Sequence, residues 1–206
     1  METDRRRMQT RTADARFETR EEGGARRIEG YFAVFGSVYD MCDGIRETID
    51  PHAFDRTLEG DVRALCNHDA RLVLGRTGAN TLRLRVDDRG LWGEIDVNER
   101  DTDAMNLYAR VARGDVSQCS FGFDILHEDA QVQPDGGVLF ILREVKLYEV
   151  SCVTFPAYRE TEIEAREERE ELIARRREQA EEIRRQQVQA WRERQKELIT
   201  RWHSDS

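Results

Sequence analysis

Proline is nearly missing from this chain, with three in 206 residues, at positions 51, 134 and 156. Histidine and cysteine number four each, and tryptophan three. No apolar run approaches the roughly 20 residues that a membrane-spanning helix needs, so no span is expected. Lys and Arg total 33 against 42 Asp and Glu, a formal net charge of −9. That balance argues against bulk nucleic-acid binding, because neutralising a phosphate backbone takes a basic excess. Cys42, Cys66, Cys119 and Cys152 form no C-x-x-C pair. Their spacing argues against a structural zinc site and against a disulfide framework, and fits a reducing cytoplasm. Met1 to Arg16 is arginine-rich but lacks the apolar centre of a secretory signal.

What is there divides into three parts. Residues 1–13 are polar and read as a disordered tail; residues 14–158 form a body rich in strand signals; residues 159–206 form a charged helical extension. In the body, 16–20 and 26–35 read as strands, 36–44 as turn, 45–49 and 62–67 as strands, and 81–86 with 91–97 as a β-hairpin. One or two helical turns are expected over 53–58, after Pro51. Ala104, Leu107, Tyr108, Val111 and Ala112 recur at helical spacing, with Asp101 or Thr102 to cap the helix and Gly114 to end it. Two long strands follow, 116–128 and 138–153, turned at Pro134-Asp135-Gly136-Gly137. The fold class is α+β, mainly β. From Glu160 to Arg201 there is neither glycine nor proline, and about half of the residues are charged. This predicts one long polar helix with too few apolar positions for a coiled-coil seam. It reads equally as a solvated appendage held by i,i+4 charge pairs and as a partner-binding helix. Trp191 and Trp202, eleven residues apart, share a helix face and are its best candidate anchors.

The chemistry centres on Gln118-Cys119-Ser120-Phe121-Gly122-Phe123-Asp124-Ile125. In a strand, Phe121, Phe123 and Ile125 share one face, and Ser120, Gly122 and Asp124 the other. Gly122 leaves room for a close approach beside Ser120. The plainer alternative is a serine facing water. Among the histidines, His203 lies in the tail, His127 near a turn and His52 at a helix start. His68 ends an apolar strand, with Cys66 and Ala64 on its own face; a histidine so placed is more often structural than catalytic. Glu149 continues the apolar face of Val145, Leu147, Ser151 and Val153. A carboxylate there is costly without a partner, unless it sits at the sheet edge. A serine hydroxyl needs a base, and the base an orienting group; Ser120, His68 and Glu149 offer one of each from three segments.

Several short pieces, in order, carry a resemblance. They are Gly30-Tyr31-Phe32-Ala33-Val34-Phe35, Asp50-Pro51-His52-Ala53-Phe54, Asn67-His68-Asp69, Leu74-Gly75-Arg76-Thr77, Arg89-Gly90-Leu91 and Gly114-Asp115-Val116-Ser117. Ser120-Phe121-Gly122-Phe123, Leu147-Tyr148-Glu149-Val150-Ser151 and Thr154-Phe155-Pro156-Ala157-Tyr158 complete the set. Over about 27 to 160 the sequence resembles the prohead maturation proteases of tailed phages, distantly similar to the herpesvirus assembly proteases. The resemblance implies a serine endopeptidase on a closed or nearly closed β-barrel flanked by a few short helices. It implies Ser120 as nucleophile, His68 as general base and Glu149 as the third member, with Arg159 or the Ala157–Tyr158 backbone supporting the oxyanion. No metal or organic cofactor is implied. The substrates would be capsid-protein and scaffold segments and the enzyme itself, inside the immature prohead in the host cytoplasm, with self-association left open. Two rivals stand beside this reading. One is a non-catalytic scaffold protein acting through the charged helix; the other is a metal hydrolase using His52, His68 and Asp69, which lack ligand-type spacing.

Overall fold

The computed structural model describes residues 9–13, 17–155 and 163–204, with side chains for 9–11, 17–155 and 169–198. In chain order the elements are β1 (Gln9–Ala13), β2 (Phe17–Glu22), β3 (Ala25–Val34), β4 (Val38–Cys42), β5 (Ile45–Ile49), β6 (Arg63–Cys66), β7 (Asp69–Arg76), β8 (Leu82–Val86) and β9 (Gly90–Asp96). They continue with α1 (Thr102–Arg113), β10 (Gln118–Val132), β11 (Val138–Val153) and α2 (Ile163–Ser204). Among the described residues the strands form two sheets. One runs β1-β10-β11-β5-β4, with β6 pairing both β11 and β7; the other runs β2-β3-β9-β8.

The mainly-β class is as the sequence indicates, but among the described residues the sheets do not close into a barrel. The reason lies in β11, whose 16 residues far outrun β5 and β6. It pairs with β5 and also, in parallel from Glu149 to Cys152, with β6. The first sheet therefore forks instead of curling onto itself.

Two compact units divide the chain: Met1–Ser37, Thr48–Asp129 and Ile141–Arg159 in the first, and Val38–Glu47, Ala130–Phe140 and Glu160–Ser206 in the second. In the first, the core gathers Phe32, Phe54, Phe121, Phe123, Leu91, Ile95, Leu107 and Leu142. Phe121 and Phe123, two apart on β10, stack with centroids 4.9 Å apart, and Phe54 meets Phe121 edge-on at 5.6 Å. That is the apolar face expected of this strand. Gly93 is required by packing, since a Cβ there would lie 2.5 Å from the Phe32 ring. Helix α1 buries Ala104, Leu107 and Val111; Asp101 caps it by accepting from the N–H groups of Asp103 and Ala104, and Gly114 ends it at φ 88°.

Three local expectations are corrected. Residues 53–58 make no α-helix. The hydrogen bonds Ala53 N to Asp50 O, Asp55 N to His52 O, Thr57 N to Phe54 O and Gly60 N to Thr57 O each close a four-residue turn. Residues 38–42, expected as turn, form β4. Residues 9–13 of the expected disordered tail form β1, because the edge of β10 offers them a full antiparallel register.

The second unit holds α2. Met41, Ile45, Val138, Phe140 and Ala180 are buried together, with Leu172 and Ile183 packed against them. Arg176 lies in the same stripe, its guanidinium 4.1 Å over the Phe140 ring and within 3.4 Å of Glu47. Leu172, Arg176, Ala180 and Ile183 follow one helix face, so this part of α2 is no solvated appendage. An arginine at its centre hid the stripe from a count of apolar residues. Further on, Val188, Trp191 and Leu198 are exposed. Trp202 has its side chain outside the described residues.

Candidate active site

The site starts at the turn between β6 and β7. Asn67 and His68 both have positive φ, 52° and 61°. Two consecutive left-handed non-glycine residues cost on the order of 1–3 kcal/mol each and persist only where the surroundings over-determine them. Here the surroundings are the end of β11. Asn67 N–H donates to Cys152 O at 2.9 Å, Thr154 N–H donates to Asn67 Oδ1 at 2.9 Å, and Asn67 Nδ2 donates to Thr154 Oγ1 at 3.3 Å. His68 N–H donates to Ser151 Oγ at 3.2 Å. His68 is thus not the end of a strand face shared with Ala64 and Cys66, because β6 stops at Cys66 and the chain turns. What aims the imidazole is the strained turn.

It aims Nδ1 at Glu149 Oε1, 2.6 Å away. Glu149 is 3% exposed, and its other oxygen accepts from Ser151 Oγ at 2.6 Å. The carboxylate on the apolar face of β11 therefore has its partners. An ionised carboxylate only accepts, so the proton of this contact sits on Nδ1. Nε2 is buried with no hydrogen-bond partner among the described residues.

Ser120 lies on β10 and is fully buried. Its Oγ donates to the backbone carbonyl of Arg11 on β1, at 2.8 Å. The structure thus brings His68 and Glu149 into contact, while the hydrogen bond recorded for Ser120 goes to β1. Its neighbour Cys119 is no rival nucleophile, because burial pushes that thiol well above its usual range; burial does the same to Cys152. Iodoacetamide on the folded chain should leave both cysteines unmodified and alkylate them after denaturation, as peptide mass mapping would show. Ser117 precedes β10 and is half-buried.

The metal-hydrolase set is not assembled. His52 is exposed and pairs with Asp55 through Nδ1 at 3.0 Å. Asp69 is held by Arg71, whose guanidinium and backbone N–H hydrogen bonds depress its pKa to about 2. Arg159 and the Ala157–Tyr158 backbone lie outside the described residues.

Residues 13–176 match the family of caudovirus prohead serine proteases. The chain belongs to that family. Among curated relatives, the prohead protease of Enterobacteria phage HK97 is 27% identical over 141 residues, covering 66% of this chain and 60% of that protein. The match therefore spans under two thirds of that relative's length. Among solved structures, the bacteriophage T4 capsid assembly protease overlaps 73% of this chain and 98% of its own at 14% identity and a TM-score of 0.44, a loose likeness. Ser120, His68 and Glu149 all fall inside the stretch that matches the prohead protease family.

Reading the sequence for chemistry passed over Asn67, Ser151 and Thr154. Each stands inside a quoted motif, but a side chain that positions another leaves no periodic signal. Asparagine before histidine at an apolar strand's end was the available hint, since asparagine tolerates left-handed backbone.

Proposed function

We propose that this chain is a serine endopeptidase of phage capsid maturation, cleaving capsid-protein and scaffold segments, and itself, inside the immature shell. The observation that supports it most is the imidazole of His68, tied at Nδ1 to the buried Glu149 and unpartnered at Nε2, in a chain of the prohead serine protease family. In the proposed reaction His68 Nε2 takes the proton from Ser120 Oγ as Oγ bonds to the scissile carbonyl carbon. The imidazolium, stabilised by Glu149, then protonates the leaving amine as the C–N bond breaks. Water, deprotonated by the same nitrogen, hydrolyses the acyl-serine. Peptide N–H groups facing the oxyanion would each contribute about 3 kcal/mol.

Coexpression with a capsid protein carrying a cleavable segment, followed by mass spectrometry of the fragments, tests this reading. Cleavage should persist in excess chelator and stop with a serine-directed phosphonate. Loss in chelator with rescue by zinc would instead favour the metal hydrolase.

The distal half of α2 is proposed to recruit the enzyme into the shell, because it exposes Trp191 at 58% while burying little. Truncation after residue 185 keeps the packed stripe, so it should leave peptide cleavage in solution unchanged and lower the amount of enzyme packaged. Normal packaging, read by gel analysis of purified proheads, would remove that role.

A further inference from the structure

Strand β1 lies where a protease would hold a substrate. It runs antiparallel to β10 with Thr12 opposite Ser120, Arg11 opposite Phe121 and Thr10 opposite Gly122. An extended polypeptide added to an exposed strand edge is a general mode of peptide recognition, in which main-chain hydrogen bonds supply most of the affinity. The seated segment also engages the nucleophile, since the Arg11 carbonyl accepts the Ser120 proton at 2.8 Å. A hydroxyl so committed does not hand its proton to His68, whose Nε2 is buried without a hydrogen-bond partner among the described residues. Nor is the Arg11 carbonyl set for cleavage, since attack needs Oγ at the carbonyl carbon, with the oxygen turned away towards donors.

The hold is local. Arg11 is 6% exposed, with its guanidinium 5.5 Å from the Phe123 ring centre. It donates to its own strand, from Nη1 to Thr10 O at 2.9 Å and from Nη2 to Gln9 Oε1 at 3.0 Å. The strand is five residues long and ends its sheet. A short terminal strand is the kind that another chain can replace.

We infer that the edge of β10 beside Ser120 is the site for an extended substrate polypeptide, and that residues 9–13 occupy it as a substrate stand-in that caps the nucleophile. This rests on the serine-protease reading above. A tethered strand competes at an effective concentration on the order of millimolar. Dilute substrate then loses the competition, and substrate crowded at comparable concentration displaces the cap.

The test uses the full chain with two variants and a fluorophosphonate probe, its adduct mapped by mass spectrometry. Ala13 pairs with the native Cys119 in the strand register, so Ala13→Cys, refolded under oxidant while Cys119 is still exposed, should form a cross-strand disulfide. Oxidation should slow labelling of Ser120 at least about tenfold, reductant should restore it, and the unsubstituted chain should ignore both, since labelling follows the uncapped fraction. Arg11→Asp, which removes the anchor over Phe123, should label at least about tenfold faster than the unsubstituted chain. Failure of the disulfide to form, or labelling of Ser120 at one rate locked and unlocked, overturns the cap and leaves the serine assignment standing. A probe that, with the strand released, reacts elsewhere than at Ser120 overturns both.

Discussion

Alanine at Ser120 is expected to abolish cleavage of capsid protein, by roughly 10⁶ in kcat if this serine behaves as nucleophiles of comparable triads do. The fold should survive. The side chain makes one recorded hydrogen bond, to the Arg11 carbonyl, and its loss costs about 1 kcal/mol. The neighbouring packing belongs to Phe121 and Phe123, which the substitution leaves alone. Thermal unfolding within a few degrees of the unsubstituted chain, with no processing on coexpression, is the expected pair of results. The position also separates two effects that a simple loss of activity confounds. If the cap loosens without its bond to Ser120, β10 amides should exchange faster with solvent in the alanine variant although nothing is cleaved. A Ser120→Ala chain that processes capsid protein at the ordinary rate would end the assignment.

The sequence displayed this site unevenly, for physical reasons. The helix at 102–113 and the strand at 138–153 were legible because their signals are local: apolar spacing, a cap, a stop. Phe121 and Phe123 declared their face by alternation alone. Glu149 could be singled out because a carboxylate on an apolar face demands a partner, and that partner is the His68 imidazole, 2.6 Å away. The rest depended on pairings distant in sequence. Strand β1 is polar, so only its register with β10, more than a hundred positions away, makes it a strand. The fork of the first sheet hinges on which strands β11 meets along its length, which no local pattern records. The buried stripe of α2 contains an arginine, and its cover comes from the aromatic ring of Phe140.

The second large effect concerns the base and the group that orients it. His68→Ala should be about as damaging as Ser120→Ala, and the double variant no worse than either, since the two are proposed to act as one unit. Glu149→Gln should be milder but still severe, by roughly 10⁴ in kcat, as for a triad carboxylate changed to its amide. The reason is the tautomer. Glu149 accepts from Ser151 Oγ at 2.6 Å through one oxygen and holds Nδ1–H with the other. Glutamine satisfies Ser151 best by keeping its carbonyl there, which turns its NH₂ towards Nδ1. That donor makes Nδ1 the acceptor and moves the proton to Nε2, the nitrogen proposed to receive one from Ser120. Glu149 is buried behind the imidazole, so the loss should fall on kcat and spare KM. Nitrogen-15 spectra of the imidazole give a readout that a merely structural role for Glu149 would not move, with the proton on Nδ1 in the unsubstituted chain and on Nε2 in Glu149→Gln. An undiminished kcat in Glu149→Gln would remove the glutamate from the mechanism while leaving Ser120 and His68 in place.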